Sequence, residues 1–219
     1  MDKRVIIKAV TRRFPALLPY LSPRVHAILK ATGAVNGEYH DAITSALVDY
    51  FEGGSLASSR NRFKRAMVDA FLESFEAGWQ DGGAELPLDD EALRWLGDRQ
   101  TQELANIETL FQTARGIRKQ KDFDWFAWSS ARADGYVSAL QGVYNAAIML
   151  AKGKQMLTWR LGQTEQHCDT CASLDGKRHP AYWYIERNYI PRQAGAAMDC
   201  GGYHCDCRLE DKEGNEVTL

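Results

Sequence analysis

Apolar residues recur at helical spacing through most of the chain, and the pattern breaks only at glycine, proline and aspartate clusters. The first such stretch runs from Glu38 to Phe51 and is closed by Gly53-Gly54. A second, from about Ala57 to Trp79, places Phe63, Met67, Ala70, Phe71, Phe75 and Trp79 on one face and stops at Asp81-Gly82-Gly83. Pro87 keeps the next connection extended, and Asp89 or Asp90 caps a third helix over about Glu91 to Lys119, with Leu93, Leu96, Leu104, Ile107, Leu110, Phe111, Ala114 and Ile117 as its stripe. A fourth, Trp125 to Lys152, carries enough aromatic mass to pair with the long third one. Upstream, Pro15, Pro19, Pro23 and Gly33 punctuate an extended arm with a short helix around Arg24 to Lys30.

After Gly153 the pattern changes. Met156 to Leu161 alternates apolar and polar and predicts a strand. From Gly162 onward Gly, Asp, Pro and His are frequent and no helical stripe is expected. The predicted organisation is therefore mainly α: an N-terminal arm over 1–36, a helical body over 37–153, and a small irregular α+β module over 154–219. That module is too poor in aliphatic residues to hold itself together without a cross-link.

Composition sharpens this picture. The 219 residues are 45% hydrophobic and 26% charged, ample for a core of ordinary size, and disordered or fibrous classes are excluded. The net charge of −2 lacks the global positive field of a nucleic-acid coat. Met1 to Lys8 is charged and its apolar stretch is cut before a signal core forms. The longest apolar run elsewhere, Ala146 to Ala151, is too short to cross a bilayer, so no membrane partner is expected.

All five cysteines, Cys168, Cys171, Cys200, Cys205 and Cys207, fall in the last quarter. An odd, clustered set in a chain expected to fold in a reducing cytoplasm suits a metal better than a disulfide framework. Cys168 and Cys171 have the two-residue separation that points two sulfurs at one tetrahedral ion, and Zn2+ is the expected cofactor. The second pair is to be drawn from Cys200, Cys205 and Cys207, with His204 ranked behind them. If Cys205 and Cys207 both bind, Asp206 must turn outward; if Cys200 binds, Gly201-Gly202 supplies the loop. A closed four-ligand site leaves no open position for a catalytic water, and no Walker, dinucleotide or HExxH motif occurs, so no catalytic residues and no enzyme are expected. A zinc-ribbon nucleic-acid-binding module is the alternative. Against it, residues 164 to 219 hold ten acidic and six basic side chains. Two basic clusters lie elsewhere: Arg60, Arg62, Lys64 and Arg65 near one helix start, where the dipole disfavours them, and Arg115, Arg118, Lys119 and Lys121 at a helix end.

Trp159-Arg160, the run Glu165 to Lys177 with Cys168, Cys171 and Leu174-Asp175-Gly176-Lys177, Pro191, and the closing Cys200 to Leu209 with Cys205 and Cys207 together resemble the C-terminal part of phage head morphogenesis proteins, the phage Mu protein F-like or minor capsid family. The resemblance covers about residues 155 to 210. Many members end in His-Pro-x-Cys-x-Cys, whereas this chain has Gly202-Tyr203-His204-Cys205; the usual His is displaced and Cys200 is the candidate to replace it. The resemblance implies a virion component of a tailed phage, assembled in the host cytoplasm and associated with the portal and the head-tail connector. Its expected partners are portal, capsid or connector proteins, copies of itself, and weakly the packaged DNA. Trp79, Trp95, Trp125 and Trp128 are expected to be exposed for such contacts.

Overall fold

The computed structural model describes residues 35–163, 166–202 and 205–218. The expected arm, with its short helix at Arg24 to Lys30, lies outside the described residues except for its last two positions. Those open the first helix, α1 (Val35–Phe51). Three long helices follow: α2 (Leu56–Asp81), α3 (Asp90–Ile117) and α4 (Trp125–Lys152). Asp89 and Asp124 act as N-caps, accepting backbone N–H bonds from Ala92 at 2.8 Å and Ala127 at 2.9 Å.

α2 is the central helix, packed on α1, α3 and α4. The stripe predicted for it is buried: Phe63, Met67, Phe71 and Phe75 have no exposed surface. Phe63 meets Phe111 of α3 and Tyr136 of α4 edge-on, with centroids 5.9 and 5.0 Å away, so one ring fastens three helices. Of the four tryptophans expected at the surface, Trp79 is buried and Trp95, Trp125 and Trp128 are partly covered by packing on other rings. Trp79 donates its indole N–H to the Glu85 carbonyl at 3.0 Å; Trp95 stacks on Phe75; Trp125 and Trp128 pack on Phe51. Leu93, placed on the apolar stripe of α3, is half exposed at its edge.

Three of the four residues of the first basic cluster are engaged internally, while Arg65 is exposed and forms no ion pair among the described residues. Arg60 and Lys64 of α2 both grip Glu108 of α3, and Arg62 reaches Asp49 of α1 at 2.7 Å. These partners come from neighbouring helices, which linear sequence does not place beside α2. Of the second cluster, Arg118 lies over the Tyr50 ring, 4.7 Å from its centroid. Lys64 and then Arg60 hold the Glu108 carboxyl below its usual range. A depressed carboxyl contributes stability above its unfolded-state value and loses it as pH falls through the folded one. Glu108→Gln is therefore expected to lower the melting temperature modestly at pH 7 and to converge with the parent protein well below about pH 4, so that its melting temperature falls less steeply with acidification, a comparison that thermal melts of both proteins across pH will make.

The module continues directly from α4. β1 (Met156–Arg160) is the middle strand of a three-stranded antiparallel sheet, flanked by β2 (Arg178–Pro180) and β3 (Arg208–Glu210), with Leu157 opposite His179 and Trp159 opposite Leu209. Leu157 and Trp159 point inward, as the alternation predicts. Two six-residue helices, α5 (Asp169–Leu174) and α6 (Ala181–Glu186), supply the helical part of the expected α+β module without a helical stripe in the sequence. Fewer than two turns cannot display a stripe. Ala146 and Met149 of α4 join Leu157, Trp159, Leu174, Tyr184, Ile190 and Leu209 in a second core. The module is thus completed by the helical body it packs on.

Gln193 forms the tightest join. It is buried at the contact, and a Cβ on Gly142 of α4 would lie 2.5 Å from its Cα, while a Cβ on Gly202 would lie 1.9 Å from its carbonyl oxygen. Both neighbours must be glycine for the backbone to pass between them, and Gly202 also has a positive φ of 76°. Asn145 adds a buried bond to the Pro191 carbonyl at 2.9 Å.

Candidate metal centre

Each cysteine is positioned by a separate local device. Cys168 is the N-cap of α5, and its Sγ accepts the Cys171 backbone N–H at 3.4 Å; the two-residue spacing closes a turn with both sulfurs on its inner side. Asp199 Oδ2 accepts both the backbone N–H (2.9 Å) and the hydroxyl (2.7 Å) of Thr170, which ties the Cys200 loop to that turn. Gly201 and Gly202 then take positive φ of 59° and 76° and reverse the chain. Cys205 and Cys207 lie on the approach to β3, whose register is fixed by Trp159 opposite Leu209. Between them Asp206 turns away from the sulfurs, as two-cysteine binding requires: it pairs with Arg192 and accepts the Gln163 backbone N–H at 3.3 Å.

The five thiols are free, and their sulfurs form two overlapping triads, Cys168-Cys171-Cys200 and Cys171-Cys205-Cys207, each with all sulfurs within 4.8 Å of one another. Sulfurs at 2.3 Å from a tetrahedral ion stand about 3.8 Å apart, so a small contraction brings either triad onto one metal. Cys171 belongs to both and is buried, as are Cys205 and Cys207. Met198 adds a sulfur 3.8 Å from Cys171 Sγ and seals that side with apolar surface.

The electrostatics show how a cation would stabilise this cluster. Contacts with Cys205 and Cys207 push the Cys171 thiol far above its ordinary value, while Cys171 and Cys207 hold Cys205 far below. At Cys207 the Cys171 contact favours the thiolate, but Cys205 and burial outweigh it and raise the thiol to about 12. Burial likewise pushes Cys200 up; at Cys168 it is outweighed by hydrogen bonds from the backbone N–H groups and thiols of Cys171 and Cys200, which leave that thiol lowered. One thiolate thus forbids the next, and several can coexist only around positive charge. No ammonium or guanidinium is paired with these sulfurs among the described residues. Soft sulfur donors select a thiophilic ion and disfavour Mg2+ or Ca2+. The residues present fit a metal ion such as zinc.

All five cysteines singled out in the sequence are therefore brought together. His204 lies outside the described residues. A cleft of about 640 Å³ between α4 and the cysteine loop, lined by Ser138, Gln141, Arg192 and Cys205 among others, reaches the cluster from solvent. Sequence reasoning missed Asp199 and Met198: an Asp one residue before a cysteine and a lone Met carry no ligand spacing. No family model, curated protein sequence or solved structure matches the chain. Among the described residues, no helix is long and apolar enough to cross a membrane.

Proposed function

We propose that this chain is a structural virion protein of a tailed phage, a minor capsid or head morphogenesis protein at the portal and head-tail connection, with one structural Zn2+ in its C-terminal module and no catalytic role. The observation that carries the reading is how the motif residues of the resemblance work together. Trp159 is fully buried at the centre of the sheet. The Leu174 to Lys177 turn binds both of its backbone groups: the Gly176 N–H donates to the Trp159 carbonyl and the Trp159 N–H to the Lys177 carbonyl, each at 3.0 Å. Asp175 accepts the Leu161 N–H at 3.2 Å, and Leu174 closes α5 directly above the core. Strand, cysteine turn and Leu-Asp-Gly-Lys turn thus form one interdependent unit, which accounts physically for the pattern that the resemblance rests on.

The zinc ligands in this reading are Cys168, Cys171, Cys205 and Cys207. Cys205 and Cys207 are buried beside Cys171, where an unpaired thiolate would be costly, whereas Cys200 is half exposed and tolerates being the spare thiol. A sulfur-filled tetrahedron is a closed structural site. The partners are portal, capsid or connector proteins and further copies of the chain. Mass spectrometry of purified particles, with cryo-electron microscopy of particles carrying a labelled chain, tests the assignment. A few copies at the portal vertex are expected; absence from particles whose host cells make the chain would overturn it.

A further inference from the structure

The module's acidic character conceals a separation of charge. Its acids lie mostly between Asp199 and Glu216, and there they meet the module's own arginines: Arg192 pairs with Asp206, Arg160 with Glu210, and Arg208 with Glu210 and Glu216. A different set of cations is left over on the opposite edge of the sheet. Lys152 and Lys154 flank Gly153, whose carbonyl accepts the Tyr182 N–H at 2.9 Å, so the end of α4 lies against the start of α6. Lys177 and Arg178 sit at the other end of β2, an edge strand, with Arg178 opposite Thr158. Among the described residues none of these four forms an ion pair, and Lys154, Lys177 and Arg178 are exposed.

Aromatic rings occupy the same edge. His179 stacks on Trp183 with centroids 3.7 Å apart and planes 10° from parallel. Arg187 covers the other face of Trp183 at 4.2 Å and donates to the Trp183 carbonyl at 3.2 Å. Its one acidic neighbour, Glu186, is 3.8 Å away and well exposed, a weak claim on the charge. These contacts restrain the guanidinium, so less rotamer freedom remains to be lost on binding. Tyr182, in the first turn of the same helix, exposes 41% of its surface.

We propose that the edge formed by β2 and α6 binds single-stranded nucleic acid. Lys152, Lys154, Lys177, Arg178 and Arg187 contact successive phosphates, and Tyr182 with the Arg187 plane offers surfaces for unpaired bases. A polyanion with a regular charge repeat fits cations spread along a strand. Bases fit the exposed aromatic and guanidinium planes, which an acidic protein surface or a lipid headgroup layer would leave unused. The inference is independent of the virion assignment.

The test is fluorescence anisotropy of the full zinc-loaded chain with a labelled 20-nucleotide oligo-dT, a 20-base-pair duplex, and anionic vesicles containing phosphatidylserine. Five phosphate contacts predict a log-log salt slope of about −3.5 for the single strand, or roughly a hundred-fold loss of affinity between 50 and 200 mM salt. The variant K177Q/R178Q/R187Q, checked for unchanged zinc content and helicity, is expected to lower the slope by about 2. R115Q/K119Q/K121Q at the end of α3 is expected to leave binding intact. No binding to oligo-dT at 50 mM salt overturns the proposal. So does equal weakening by the two variants, tighter binding to the duplex, or binding to vesicles alone.

Discussion

Stripping the metal with a chelator should release one zinc per chain and unfold the C-terminal module while the four long helices persist. Zinc coordination in small modules supplies on the order of 10 kcal/mol, more than the second core can replace with its short strands and two six-residue helices. Hydrogen exchange is expected to quicken across β1, α5, β2 and β3, with far-ultraviolet circular dichroism nearly unchanged. Cys171→Ser should reproduce the effect most fully, because Cys171 is the sulfur common to both triads. Cys200→Ser should retain the zinc and Cys207→Ser should lose it. Emission spectrometry of the purified variants reads this directly. A protected module in metal-free protein would remove the basis for the site, and zinc retained by Cys207→Ser would reassign the fourth ligand.

Phe63→Ala should produce the reverse outcome: a destabilised body around a zinc-loaded module. The ring is fully buried and contacts aromatic partners on two neighbouring helices, so its loss leaves a cavity bordered by Phe111 and Tyr136. Aromatic-to-alanine changes of this kind cost about 3–5 kcal/mol. At roughly 2–4 °C per kcal/mol for a chain of this size, the melting temperature should fall by about 10 °C. Denaturant titration measures the cost, and a change below about 1 kcal/mol would show that the three helices repack around the gap.

The long elements were legible in sequence because their periodicity is long. α4 has the boundaries that its pattern predicts, and α2 and α3 differ from theirs by one or two residues at each end. β1 was legible because it is the central strand, with Leu157 and Trp159 inward and polar residues outward. β2 and β3 are three residues each and exist as strands because β1 lies between them; no local property of Arg178–Pro180 or Arg208–Glu210 announces an edge strand. The cysteine cluster was legible as a set, since the spacing of Cys168 and Cys171 dictates a turn. The division into triads was not, because it depends on where Asp199 anchors the Cys200 loop and where Trp159 fixes β3. Charge was misleading at Arg60 and Lys64, which share Glu108, a residue more than forty positions away.

The position of Gln193 between Gly142 and Gly202 makes the sulfur loop and α4 a single mechanical body. Any movement of the loop that accompanies loss of the ion is transmitted to the middle of a 28-residue helix, at a point where neither side has a side chain to absorb it. A force or a docking partner acting on the helices would in turn be felt at the cysteine cluster.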